Sequence, residues 1–230
     1  LVLQESDAPS PHDPIAAQFE PLDDAGRGRL WWIMPPGQEP LRTFRITAAP
    51  AKSRSRMAVR YDRQAGRMLL LDGDAPVLQY NYQTVPMPGN VGSRFKEGAY
   101  PSPPYDPSGL ARGNYIHPLY GPSGEVPTRD YPVDHPHHRG IYWPWPEVYY
   151  KDQLRDMHAV YGVWARPVRV NRLIAGPVFT LVDVENVWKW QDREPIVSER
   201  VLIRAFRSAD RGRPIDLEFH QREDRAVLEV

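Results

Sequence analysis

Val178-Phe179-Thr180-Leu181-Val182-Asp183-Val184-Glu185-Asn186-Val187-Trp188-Lys189-Trp190 alternates with a period of two, the spacing of a strand whose successive side chains point to opposite faces of a sheet. The same period returns in Val197, Glu199, Val201, Ile203 and Ala205, and again in Ile215, Leu217 and Phe219. Upstream it runs through Phe44 and Ile46, then Met57, Val59 and Tyr61. It also shapes Val77-Leu78-Gln79-Tyr80-Asn81-Tyr82, which follows the turn residues Asp72-Gly73-Asp74 and Pro76. Helix signals are scarce: Glu147 to Met157, with Pro146 placed for a first turn, is the best candidate. Many short strands, Gly- and Pro-rich turns and no repeat of roughly 20–50 residues predict an all-β chain. An antiparallel β-sandwich over residues 41–230 is the expected architecture, with a closed barrel as the alternative.

The first forty residues differ, because Pro11, Pro14, Pro21, Pro35, Pro36 and Pro40 are spaced too closely for a regular element. Residues 1–40 therefore read as a Pro-rich arm in which Leu30-Trp31-Trp32-Ile33-Met34 docks on the body as an edge. The chain opens at Leu1 without a basic and apolar leader pattern, so any signal peptide is expected to have been removed.

The sequence has 230 residues, 29 basic and 29 acidic side chains, seven histidines and no cysteine. A chain of that length removes roughly 70–75% of its unfolded surface from water and needs no disulfide or structural metal to hold a core. The balanced charge, with no long basic block, argues against a nucleic-acid binder. No run approaches the roughly 18–20 apolar residues of a membrane-spanning helix, so no membrane insertion is expected. Without cysteine there is neither a thiol nucleophile nor a thiolate metal site.

Residues 84–146 break the period-two pattern with closely spaced prolines, which forbid long strands. Their aromatic and histidine content predicts ordered loops that build a site. Four of the seven histidines fall here, in Tyr115-Ile116-His117-Pro118-Leu119-Tyr120 and in Thr128-Arg129-Asp130 followed by Asp134-His135-Pro136-His137-His138-Arg139-Gly140. In the extended conformation that Pro136 imposes on the residue before it, His135 and His137 point one way and His138 the other. Three readings stay open. A metal ion could be held by His135 and His137 with Asp134, Asp130 or His117, a set suited to Zn, Mn, Fe or Cu. A histidine could act as general acid or base beside Arg139, which neutralises a developing oxyanion or a carboxylate. Or the imidazoles could bond backbone groups in a Pro-broken loop. His158 could fold back toward this cluster as a further imidazole, although a place on a strand is the simpler reading.

Five aromatics follow in Ile141-Tyr142-Trp143-Pro144-Trp145-Pro146-Glu147-Val148-Tyr149-Tyr150, and alternating Trp and Pro cannot form a central strand. At least one indole is expected at a cleft, where its face suits the apolar side of a sugar ring. Nucleotide-binding glycine loops and a serine nucleophile elbow are absent.

The run from Tyr115 to Gly140 resembles the signature of the bacterial DUF6807 family, which also carries the label "methane oxygenase PmoA". Pro76-Val77-Leu78-Gln79-Tyr80-Asn81-Tyr82 resembles the segment upstream of that signature, and the likeness extends over roughly residues 45 to 230. It implies a β-sandwich of the galactose-mutarotase type, a secreted or periplasmic location and a place among sugar-degradation functions. The monooxygenase label would require membrane helices, for which this sequence has no segment. The family's members continue beyond the strand at Ile215 to Val230, which implies that the second sheet is incomplete here.

These readings predict a carbohydrate-active enzyme that works on a sugar or oxidised sugar by histidine-based proton transfer, as a lyase, dehydratase, epimerase or hydrolase. His135, His137 and His138 would serve as base, acid or metal ligands, and Arg139 and Arg129 would hold a substrate carboxylate or hydroxyls. His117 and Asp134 would orient the histidines, and Trp143 and Trp145 would stack on the ring. The partner would be a small-molecule or oligosaccharide substrate, and a cofactor, if required, a divalent metal. A noncatalytic carbohydrate-binding module and a metal-dependent oxidoreductase built on the cluster are the alternatives.

Overall fold

The computed structural model describes residues 1–6, 13–34, 42–48, 56–89, 110–132, 135–159, 161–209, 212–224 and 227–228. Every extended regular element among them is a strand, and all pairings between them are antiparallel. One four-stranded sheet has β5 (Met57–Asp62), β6 (Arg67–Asp72), β7 (Ala75–Asn81) and β8 (Tyr115–Leu119) in sequential order. A second has β11 (Val163–Ile174), β12 (Phe179–Trp190), β13 (Glu194–Phe206) and β14 (Ile215–Glu223), again in order. The two face each other across one core. Met57, Met68, Leu70, Leu78, Tyr80 and Ile116 from the first pack against Val182, Val184, Val201, Ile203 and Ala205 from the second. No sheet closes on itself, so the arrangement is sandwich-like and not a barrel. No helix among the described residues is long and apolar enough to cross a membrane.

The long strand β12 shows how the period-two pattern is used. Its second half alternates between buried and half-buried positions, as expected for one covered face, whereas its first half is buried on both. The extra cover comes from the N-terminal residues. These form β1 (Val2–Glu5), β2 (Ile15–Pro21) and β3 (Gly28–Trp32), which join β4 (Phe44–Thr47) in a sheet ordered β3-β2-β1-β4. Trp31 packs 5.9 Å from Phe179 and 5.6 Å from Phe206 on the outer face of the second sheet. Its Nε1 donates to Glu20 at 2.8 Å, and Glu20 holds the buried guanidinium of Arg204 at 3.0 Å. Trp31 therefore docks as its sequence suggested, whereas Trp32 is exposed, and the expected irregular arm carries three strands. Of the counted prolines that are described, Pro14 precedes β2 and Pro21 ends it, positions where a missing N–H is tolerated.

The helix expected over Glu147 to Met157 is instead a hairpin. β9 (Val148–Tyr150) pairs with β10 (Gln153–Arg155) in a three-stranded sheet completed by β15 (Val227–Leu228). Lys151 and Asp152 both have positive φ, 53° and 55°, which turns the chain in two residues and matches the twist of the flanking strands. Neither residue is a glycine, so the turn left no strong mark in the sequence. The expected proline-broken loops are interrupted by β8, which lies at the edge of its sheet, where Pro118 is tolerated.

Candidate functional site

The loop that follows β8 is fixed to that strand at two levels. Ile116 and Ile141 exchange backbone hydrogen bonds of 2.8 and 3.0 Å, and Gly140 N–H donates to the Arg129 carbonyl at 2.8 Å. Gly140 has φ of 61°, and a Cβ there would stand 2.2 Å from the Ile116 carbonyl oxygen, so the position admits only glycine. Arg139 supplies the side-chain anchor. Its guanidinium is fully buried and its five N–H groups reach the two Asp130 carboxylate oxygens, the Tyr115 and Tyr131 hydroxyls and the Leu110 carbonyl. It also lies 3.7 Å from the ring centre of Tyr131 and 4.4 Å from that of Tyr115. With every donor occupied, Arg139 holds the loop and is unavailable to an oxyanion or a substrate, contrary to its expected catalytic part.

The histidine segment is not extended. His138 N–H donates to the His135 carbonyl at 2.8 Å, closing a turn with Pro136 in its first central position, where a proline's fixed φ fits. The turn gathers all three rings instead of sending His138 to the opposite side. His135 stacks on His138 at 4.8 Å between ring centres, and His137 meets His138 edge-on at 4.5 Å. His158 arrives from the far side of the hairpin. The Asp156 carboxylate accepts from Ala159 N–H at 2.8 Å and shapes the turn that carries this ring. It lies 5.1 Å from His137, 5.5 Å from His138, and stacks on Tyr142 at 5.6 Å. The simpler strand reading of His158 is thus corrected, since a turn residue completes the cluster.

One nitrogen each of His137, His138 and His158 lies within 4.8 Å of the other two. Zn–N bonds of about 2.1 Å set tetrahedral ligand nitrogens about 3.4 Å apart, so these nitrogens need to approach one another by at most about 1.4 Å to hold such an ion. Burial, then the neighbouring His138, His158, His135 and Arg112, pushes His137 down to about 4. His158 is lowered as well, mainly by burial and against the pull of Asp156. Lowered in this way, His137 and His158 are neutral at pH 7, which is the form that ligates metal. His135 is exposed at the rim of the group.

The other expected residues are dispersed. His117 shares a 2.9 Å hydrogen bond between its Nδ1 and Thr128 Oγ1, outside the cluster, and burial lowers its pKa. Arg129 is exposed and contributes its carbonyl to Gly140. Asp134 lies outside the described residues. Trp145 is anchored in the fold, with Nε1 donating to Gln221 at 2.8 Å and its ring against a core cluster. Trp143 packs between Tyr80 at 6.5 Å and Phe219 at 4.4 Å, but it also lines a cavity.

That cavity, of about 20 Å³, is bounded by Arg112, Asn114, Tyr142, Trp143, Met157 and Trp164 among others. Tyr142 and Arg112 form the wall shared with the histidines, for the Arg112 guanidinium lies 5.2 Å from the Tyr142 ring centre. Behind Asn114 is a buried carboxylate that sequence reasoning missed. Glu199 accepts from Asn114 at 2.5 Å, Asn186 at 3.2 Å, Trp188 at 3.2 Å and Gln221 at 3.1 Å, and burial pushes its pKa up. Its signal was present: Glu199 shares an inward-facing period with Val197, Val201 and Ile203, where a carboxylate requires partners. Arg112 lay in the proline-rich segment with no periodicity to reveal it.

The sequence matches, over residues 67–229, the model of a family of unknown function, DUF6807, and the chain belongs to that family. No curated protein and no solved structure matches it.

Proposed function

We propose that this DUF6807 protein is a metal-dependent carbohydrate-active enzyme on a mutarotase-like sandwich, acting on a sugar or oxidised sugar beside His137, His138 and His158. The observation that carries the reading is the convergence of three imidazole nitrogens, from two separate turns, within 4.8 Å of one another. A divalent first-row ion at such a centre polarises a substrate oxygen or activates a bound water. Proton transfer by His137 alone fits less well, because a group held near 4 is a weak base at neutral pH. The sugar half of the reading is supported by the family resemblance.

The test is the metal content of the purified protein by mass spectrometry, followed by titration of the stripped protein with Zn²⁺, Mn²⁺ and Co²⁺. One ion per chain is expected in the wild type and in His117→Ala, with binding at least about 100-fold weaker in His137→Ala and His158→Ala. Turnover across a panel of neutral and acidic sugars should follow metal occupancy. Bound copper or iron would direct the search to oxidation, and zinc or manganese to lyase, epimerase or hydrolase chemistry. Equal metal affinity in His158→Ala and wild type, or sugar binding with neither metal nor turnover, would overturn the assignment.

A further inference from the structure

Three arginines among the described residues are buried, and two of them hold carboxylates: Arg139 with Asp130 and Arg204 with Glu20. The third, Arg112, is 7% exposed and enters none of the ion pairs among the described residues. Its one side-chain hydrogen bond there runs from Nη2 to the Met157 carbonyl at 2.6 Å, and its guanidinium lies beside the Tyr142 ring. Burial depresses its pKa to about 10, which still leaves it charged at neutral pH. Asp156 exerts a favourable pull on it, but among the described residues no carboxylate stands within ion-pair distance, and a buried cation held apart from its counter-charge is a costly arrangement.

Another residue of the same lining carries a donor without an acceptor. Trp143, which lines it, has its indole N–H buried and unpaired. Asn114 turns its own acceptor oxygen to Tyr80 at 2.7 Å and Asn186 at 3.1 Å, so it does not satisfy either donor. A space of about 20 Å³ accepts one oxygen-bearing end of a ligand and not a sugar ring. A guanidinium bonded to a single carbonyl and a tryptophan with an unpaired indole N–H, both lining a space of that size, suit an anionic oxygen.

We infer that Arg112, with the Trp143 indole N–H, receives the carboxylate of an acidic sugar and so places its ring over the three histidines. Arg112 is thus a specificity residue for a uronate- or aldonate-type substrate, the part the sequence had suggested for Arg139 and Arg129. The inference rests on the reading of this cleft as a sugar site and is independent of whether the histidines hold a metal.

The experiment compares glucuronate, glucose and inorganic phosphate as ligands of the purified wild-type protein, by calorimetry and by the fluorescence of the cavity tryptophans. Glucuronate should bind about 10- to 100-fold more tightly than glucose, the value of a charge-assisted contact. Arg112→Gln should abolish that preference without loss of zinc binding, and Arg112→Lys should restore part of it, since an ammonium keeps the charge but not the planar fork. If Arg112→Gln fails to fold, the wild-type preference and Arg112→Lys still decide. Equal binding of glucuronate and glucose by the wild type would overturn the inference, as would a preference that survives in Arg112→Gln. Phosphate binding without glucuronate binding would overturn the carboxylate assignment. A chain that prefers glucuronate but binds no metal would refute the metal centre alone, and one that binds metal through its histidines but treats both sugars alike would refute this inference alone.

Discussion

Acidification of the metal-stripped protein should uncover the burial of His137. In the unfolded chain this imidazole titrates at its ordinary 6.5, and in the folded protein at about 4, so between those values the unfolded state binds more protons. Stability contributed by the neutral ring is therefore complete above pH 6.5 and is lost as pH falls toward about 4. At 1.36 kcal/mol per pH unit the interval is worth up to about 3 kcal/mol. His158, lowered for the same reason, adds a loss of the same sign. Glu199 works in the other direction, because a carboxyl raised by burial lowers stability as pH rises from 4.5 through its folded pKa. The wild-type curve alone is thus a sum of opposing slopes, and the informative quantity is the difference between wild type and His137→Asn. Urea unfolding in the presence of a chelator, from pH 7 to pH 4, supplies it. With a denaturant dependence of about 3 kcal/mol per molar, the wild-type midpoint should approach that of the variant by about 1 M across the interval. Parallel curves for the two proteins would refute the buried, neutral placement of His137 and with it the geometry of the cluster.

Two further outcomes follow from buried polar groups. Glu199→Leu removes the acceptor of four donors and should cost about 3–5 kcal/mol in urea unfolding, whereas Glu199→Gln should cost less and remove the loss of stability that Glu199 causes as pH rises above 4.5. Arg139→Lys cannot reproduce a fork matched to Asp130, Tyr115, Tyr131 and Leu110 and should destabilise by about 3 kcal/mol; an unchanged unfolding midpoint would return Arg139 to the list of residues free to meet a ligand.

The strands were legible wherever one face is buried and the other is not. Val197 to Val201 and Met57 to Tyr61 carry the period because alternate side chains enter the core. Where two faces are covered, as in the first half of β12, the period persists only because Asp183 is held in ion pairs with Arg172 and Arg200. The hairpin at Val148 to Arg155 was misread because its turn is made by Lys151 and Asp152 and not by Asn and Gly. The N-terminal strands were hidden by proline spacing, although Trp31, which docks them, was visible.

The sequence by itself determined an antiparallel β protein and placed its chemistry in the histidine loop, since side-chain periodicity and local residue density are properties of the chain alone. Tertiary structure decided which histidines meet, that Arg139 is an anchor and that Arg112 is a buried cation at a cavity. Those outcomes depend on contacts between segments far apart in sequence: the turn at His158 against the one at His137, and the Arg112 guanidinium beside Met157 and Tyr142. Burial and partner choice arise from that packing, and no local pattern of residues encodes them.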